Sequence, residues 1–481
     1  MTPLLIGATV LQLVIILWLL ARSLLARSWD LLSWRNLFLV GYLHFVVLSG
    51  YFTVVSGIGA LRKSAVTPYA IGLYAVLSIV FLLVFLGTCG WAVRRPNLAR
   101  IFPRLELPIT SPSITWSVVI LLGLSFLFAV APLPSYIKLL GLQFRSGMAT
   151  TAVGLATFYL LARRFNPAAW TLLVGSLGLA FVISIIGGSG RRDAVAALVA
   201  VPWMWYYMSL RYRSTPRIVL IIGGLVVAGV LFITVYGAVR HKGFRGEQGP
   251  DVATRASQIQ QILQDPTIST EVVESMLYTD TAGNTMFCFN TYPESHAYRP
   301  GHALSWVLLN PIPRAIMPSK PEALGIILKA QMGQQANLGP GILGQAWTEG
   351  GFIPVIIFAV FFGLYYGAVD NAIRLRAWNP FFVAVAGCAS GNVLALPRGD
   401  VALFLIEILA ATISSATALA IINVLVSPIA RAFPPLSVPV PGTEGPETHD
   451  HAADEEPDQN GEDAAQTHAD HGVDALSRRA G

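Results

Sequence analysis

About eleven apolar runs divide this chain of 481 residues, and only one long polar stretch, roughly 238–350, interrupts them. Hydrocarbon offers a backbone no hydrogen bonds, so each crossing run is expected to be a helix that satisfies its own amides. The runs lie at Leu4–Leu20, Leu37–Leu61, Tyr69–Val93, Ile114–Ala131, Gly147–Leu161, Ala168–Gly188, Ala194–Leu210, Ile218–Tyr236, Phe352–Asn371, Phe381–Leu396 and Ala402–Val426. The fifth, seventh and tenth are short for a span of about 20 residues. The chain is 12% charged, half the ~25% of a soluble domain. The expected class is an all-α polytopic membrane protein with about 11 transmembrane helices and one large extracytoplasmic loop between helices 8 and 9. The first run lacks a small-residue cleavage site and further runs follow it, so it reads as a retained helix.

Basic residues stay preferentially in the cytoplasm. One set of short loops holds fourteen arginines, among them Arg27, Arg35, Arg94, Arg104, Arg211 and Arg376. The opposite set holds seven basic residues, including Arg62, Lys138, Arg191, Arg192 and Arg398. The richer side is read as cytoplasmic, which puts the N-terminus and the 238–350 loop outside and the C-terminus inside.

Two regions follow: residues 1–433 as the transmembrane domain and 434–481 as a disordered acidic cytoplasmic tail. The tail has eleven acidic residues from Glu444 to Asp474, opposed only by Arg478 and Arg479. Such a composition cannot bury a core. The chain as a whole is +6, so the membrane region is far more basic than that total. Its cations suit anionic lipid and anionic substrates, not nucleic acid. The three cysteines, Cys89, Cys288 and Cys388, make no disulfide framework. There is no phosphate-binding glycine loop, paired CxxC, HExxH or internal repeat. Soluble nucleotide or zinc chemistry is unsupported, and a transporter built from repeated halves is disfavoured.

The segments expected to face outward hold an unusual set of residues. Ser189-Gly190-Arg191-Arg192-Asp193 opens the seventh run, and Arg240-His241-Lys242-Gly243-Phe244-Arg245 follows the eighth. Both read either as interfacial anchors that snorkel to headgroups or as sites for an anionic headgroup or pyrophosphate, which arginine suits through its two parallel donors. Tyr298-Arg299-Pro300-Gly301-His302 leads into a short apolar stretch, followed by Asn310-Pro311-Ile312-Pro313-Arg314 and Pro318-Ser319-Lys320-Pro321. The prolines fix an extended path from which Arg314 and Lys320 project. Residues 337–352 are glycine-rich and read as a re-entrant or interfacial element. Pro397-Arg398-Gly399-Asp400 is a tight turn between the last two runs.

In their order, these segments resemble the oligosaccharide repeat unit polymerases, the Wzy-type O-antigen and exopolysaccharide polymerases. The resemblance rests on Arg191 or Arg192, Pro313-Arg314 with Pro318-Ser319-Lys320-Pro321, Gly339 to Gly351, and Arg398-Gly399-Asp400, and spans roughly residues 30–430. One departure is Gln345 where relatives often carry a glutamate, with Glu349 nearby where they carry asparagine.

The resemblance implies a bacterial inner-membrane glycosyltransferase with an outward-facing site. It would move a growing glycan from undecaprenyl diphosphate onto another lipid-linked repeat unit. The partners implied are that lipid-linked oligosaccharide, membrane lipid and a chain-length regulator protein. No cofactor is implied, and no dense outer carboxylate cluster suggests magnesium. Arg191, Arg192, Arg240, Arg245, Arg314, Lys320 and Arg398 are the expected diphosphate ligands. The base for the acceptor hydroxyl is sought among His302, His241, Glu349 and Asp400. Tyr298, Trp306 and Trp347 would contact sugars, or serve equally as interface-belt aromatics. An O-antigen ligase shares this plan and donor. A lipid-linked glycan flippase or transporter would need charges deep in its helices, and apart from Glu407 the runs carry almost none.

Overall fold

The computed structural model describes residues 1–27, 29–56, 66–131, 135–186, 191–225, 229, 280–314, 316–333 and 338–436. The chain divides into one unit of Met1–Pro441 and another of Gly442–Gly481. The second unit lies outside the described residues, so the acidic tail is described only to residue 436. So does the first part of the expected loop, with Arg240, His241 and Arg245.

Among the described residues the elements are helices. They are α1 (Thr2–Leu25), α2 (Trp34–Val55), α3 (Pro68–Val93), α4 (Ser111–Val130), α5 (Ser135–Ala162), α6 (Pro167–Ile186), α7 (Arg191–Met208) and α8 (Thr215–Leu225). After the loop come α9 (Thr281–Thr291), α10 (His302–Leu309), α11 (Leu324–Gln331), α12 (Gly341–Thr348), α13 (Phe352–Arg376), α14 (Pro380–Arg398) and α15 (Val401–Ala430). Eight of them, α1 to α4, α6 and α13 to α15, are long and apolar enough to cross a membrane.

The expected count was eleven. The eighth run is described mainly as α8, with most of 226–236 outside the described residues. The fifth and seventh fall in α5 and α7, which are long but more polar. Helix α5 has protein on every side along Met148–Ala156, and a helix packed against helices can carry Thr150, Thr151 and Gly154 where a lipid-facing one would not. Helix α7 opens on Arg191-Arg192-Asp193 and contains Pro202. The short tenth run is broken inside α14, as Pro380–Gly387, Ser390–Ala395 and a 3₁₀ turn at Leu396–Arg398.

The most extensive helix pairing joins α13 to α3. Gly363 and Gly367, four residues apart, lie on the α13 face that meets Phe85, Thr88, Cys89 and Ala92. A Cβ on Gly363 would run into Thr88 Oγ1 and the Phe85 carbonyl, and one on Gly367 would sit 2.6 Å from the Cys89 carbonyl. Two glycines one turn apart let backbones approach where lipid gives no hydrophobic push. Trp34, Phe38, Phe85 and Tyr366 fill the space beside them.

Hydrogen bonds gather the connecting segments into two ends. At one, Arg27 reaches the carbonyls of Arg211 and Arg213. There too Arg376 holds those of Ala99, Phe102 and Pro103. Asn371 bonds to the Arg95 carbonyl, and Leu436 N–H donates to the Ile109 carbonyl. Most of the arginine-rich loops thus share one end. The described part of the 280–350 segment packs at the other. It is less aqueous than its sequence suggests: α9 and α12 are buried along nearly their whole lengths. Their apolar faces are simply too short to register as spans.

Adding a methyl group at Gly363 or Gly367 is expected to overpack the α3–α13 contact by about 1–3 kcal/mol. Gly123 has nothing within 4 Å of where its Cβ would be. Gly363→Ala and Gly367→Ala should lower the thermal midpoint of the detergent-purified protein, and Gly123→Ala should not. Equal midpoints for all three would refute the packing assignment.

Candidate functional site

Four segments converge where the loop meets the membrane bundle: residues 298–302, 322–325, 345–351 and 396–403. Glycines make the crossing tight. Gly339 has its Cα against the 398–399 backbone, so that a Cβ would lie 2.6 Å from the Arg398 carbonyl. Gly301, at φ +66°, turns the chain into α10 through the left-handed region.

Buried side chains hold these segments by their amides. Glu349 follows α12 and accepts from Ala303 N–H at 2.8 Å, in the first turn of α10. Gln345 on α12 accepts from Val401 N–H at 2.7 Å, the first residue of α15. Asp400 caps α15 by accepting from Ala402 and Leu403 N–H at 3.1 and 3.4 Å, and its other oxygen takes Gly325 N–H, in α11, at 3.2 Å. Each of these helix starts has amides without an intrahelical partner, and an anion at that position is also favoured by the helix dipole.

The same geometry separates the titratable groups. Both Asp400 oxygens are committed to backbone amides. Burial pushes the Glu349 carboxyl up to about 7, against the Ala303 and Gly301 amides and Gln345, which favour its charge; the Asp400 carboxylate adds to the rise. The Gln345 carboxamide lies beside Glu349, but its Nε2 makes no hydrogen bond of good geometry. His302, the first residue of α10, is also buried. Its Nε2 lies 2.9 Å from the Glu322 carbonyl. A carbonyl only accepts, so this contact assigns the proton to Nε2 and leaves Nδ1 as an acceptor lone pair. Nδ1 has no hydrogen-bond partner. Burial holds the His302 pKa below the usual histidine value, despite the nearby Asp400 carboxylate and the Glu322 contact, and Arg299 lowers it further. A neutral imidazole and a carboxyl near half-ionisation thus stand among the same few segments.

The expected basic residues are distributed unevenly. Arg398 is exposed, with its guanidinium over the Phe45 ring, 5.7 Å from the centroid. Arg314 is exposed and donates to the Lys320 carbonyl at 3.3 Å. Lys320 turns inward, donating to the Asn310 and Ile312 carbonyls at 2.6 and 3.2 Å, so its ammonium closes the proline loop. Arg191 and Arg192 begin α7, and their side chains lie outside the described residues.

Of the three aromatics, two are taken up by packing. Trp306 is buried with Ala303, Ala402 and Ile406. Trp347 donates to the Tyr292 carbonyl at 3.0 Å and stands edge-on to Phe289. Tyr298 is half-buried, and its hydroxyl borders Gly351.

Two contributors had no assigned role in the sequence. Arg299 fixes the site through its backbone, donating to the Thr348 carbonyl and accepting from His302 N–H, and its exposed charge lies near the imidazole. The Glu322 carbonyl sets the histidine tautomer. Arg299 was visible as a loop cation, whereas a backbone carbonyl leaves no sequence signal. No family model, curated protein or solved structure matches the chain.

Because the fold raises the Glu349 pKa above its unfolded value, it favours the protonated carboxyl. That contribution to stability is complete below about 4.5 and is lost as pH rises through about 7. Glu349→Gln stays neutral and can still accept from Ala303. Relative to wild type it should gain stability between pH 5 and 8, on the order of 1–3 kcal/mol after discounting for partial solvent screening. Thermal melts of both proteins across that range would show it, and parallel curves would contradict the assigned burial.

Proposed function

We propose that this protein polymerises undecaprenyl-diphosphate-linked oligosaccharide repeat units into O-antigen or exopolysaccharide at the outer face of a bacterial inner membrane. The observation that carries the reading is the convergence, at the end opposite most of the arginine-rich loops, of a buried histidine whose Nδ1 has no hydrogen-bond partner, a carboxyl pushed up to about 7 and the exposed Arg398 turn.

In this reaction the acceptor sugar hydroxyl attacks the anomeric carbon of the donor glycan. A new carbon–oxygen bond forms there as the bond from that carbon to the lipid diphosphate breaks. The diphosphate leaves with the bonding electrons, and the hydroxyl proton passes to a base. His302 Nδ1 suits that role, since its ring is neutral and its tautomer fixed by Glu322. Asp400 suits it least, because its oxygens already hold α11 and α15. Glu349 keeps the first turn of α10, and with it His302, in position. Arg314 and Arg398, with Arg191 or Arg192, are the donors for the departing diphosphate, a charge best stabilised by groups already oriented toward it.

Purified protein and lipid-linked repeat units give a direct test. His302→Ala should reduce turnover by about 10²–10⁴-fold, as expected for loss of a general base. Arg314→Ala and Arg398→Ala should each cost roughly 10²–10³-fold, with poor rescue by lysine, which keeps the charge and loses the fork. Arg62→Ala should cost little. If the arginine variants match Arg62→Ala while all remain folded, the cationic segments are only interfacial anchors and the reading fails.

A further inference from the structure

A cavity with charged walls lies at the other end of the bundle, away from the convergence around His302. It occupies about 120 Å³ between the end of α1, the start of α2, the end of α7 and the start of α8. Its walls mix three chemistries. Asp30 supplies a carboxylate and Arg27 and Arg211 supply guanidinium groups, beside Trp29, Tyr206 and Tyr212. Leu24, Leu31 and Ile218 line its apolar side.

Arg211 offsets the Asp30 charge only in part. The Asp30 carboxylate receives one long hydrogen bond, 3.5 Å from the Tyr206 hydroxyl. Burial raises its pKa above the ordinary carboxylate value even though Arg211, Tyr206 and Arg374 favour the charged form. Arg211 gives one nitrogen to the Tyr212 hydroxyl, while its Nε makes no hydrogen bond. Arg27 is spent differently. It sits just past the end of α1 at φ +49°, a left-handed position that favours glycine. Its guanidinium ties down the Arg211 and Arg213 carbonyls and so fixes the cavity rim.

We propose that this cavity is a headgroup site for an amine-bearing zwitterionic phospholipid, with its ammonium on Asp30 and its phosphate on Arg211. A simple anion would leave the half-buried Asp30 carboxylate beside like charge. A simple cation would face two arginines. A zwitterion answers both, and an ammonium with N–H donors can hydrogen-bond to a carboxylate where a quaternary one cannot. Membrane lipid rather than a soluble amine is favoured by position. The cavity lies where spanning helices end, so it stands at headgroup depth. Its Leu24, Leu31 and Ile218 side is apolar, and Leu25, Val219 and Leu220, next to them in sequence, are exposed, as a surface for acyl chains requires.

The test uses the full-length protein in nanodiscs containing equal phosphatidylethanolamine, phosphatidylcholine and phosphatidylglycerol, with retained lipid read by native mass spectrometry. Wild type should retain phosphatidylethanolamine at least fivefold over the other two. Asp30→Asn should abolish that preference, and Arg211→Ala should lower retention of every phospholipid. Equal retention of all three lipids by wild type, or phosphatidylglycerol held most strongly, would overturn the zwitterion assignment. An unchanged preference in Asp30→Asn would overturn the role of Asp30. A measurement on wild type alone guards against unfolded variants: millimolar phosphoethanolamine should raise the thermal midpoint in detergent, and phosphocholine and glycerol phosphate should not. A shift with phosphoethanolamine but no diacyl lipid retained in nanodiscs would make this a soluble-amine site and overturn the lipid assignment.

Discussion

Helix starts buried in a protein that spans a membrane pose the constraint on which this structure depends. The first amides of a helix have no partner within it, and neither lipid nor a packed interior supplies one. The chain meets this demand with buried side chains taken from other segments. Asp370 of α13 accepts from the Trp34 and Arg35 amides and so fixes the start of α2. Glu349 does the same for α10, Gln345 for α15, and Asp400 for α15 and α11 together. Each contact makes two distant stretches of sequence position one another. Losing one exposes a desolvated amide, which costs about 1–3 kcal/mol.

This constraint also determines which polar groups remain open to chemistry. Asp400 and Gln345 are buried in the site, yet both spend their acceptor oxygens on amides. Lys320, by sequence a free cation on a proline-rich loop, spends its ammonium on two carbonyls. Groups left with capacity are His302, whose Nδ1 has no partner, and Glu349, whose carboxyl burial pushes up to about 7 although the Ala303 and Gly301 amides and Gln345 favour its charge. Such separation of neighbouring titratable groups is how one site supplies different protonation states at one pH.

Much of the bundle was legible from apolar runs because spanning helices must be long and hydrophobic. The segments that escaped this pattern do so for physical reasons. Helix α5 is shielded from lipid by its neighbours, so Thr150, Thr151 and Gly154 dilute its signal. Helices α9 and α12 are eleven and eight residues long, too short for a span and hidden in a stretch that reads as polar. Within the site, the sequence singled out His302, Glu349, Asp400 and Arg398 because charged and aromatic residues stand out among glycines and prolines. It could not rank the four base candidates, of which His241 lies outside the described residues. The difference among the other three lies in backbone partners, Ala303, Gly325, Glu322 and Leu403, whose side chains play no part in it. The packing of Trp306 and Trp347 was equally hidden, since a tryptophan near a membrane surface serves a core or a sugar with the same residue type.

The central claim, transfer of glycan between lipid-linked units, is tested most directly in a strain lacking this protein, by measuring the length of its lipid-linked glycan. The account predicts single repeat units on undecaprenyl diphosphate, exposed at the outer face, with polymer restored by the wild-type chain and not by His302→Ala. Full-length polymer retained on the lipid carrier would contradict it and point to a ligase. Single units confined to the cytoplasmic face would also contradict it, and would point to a flippase.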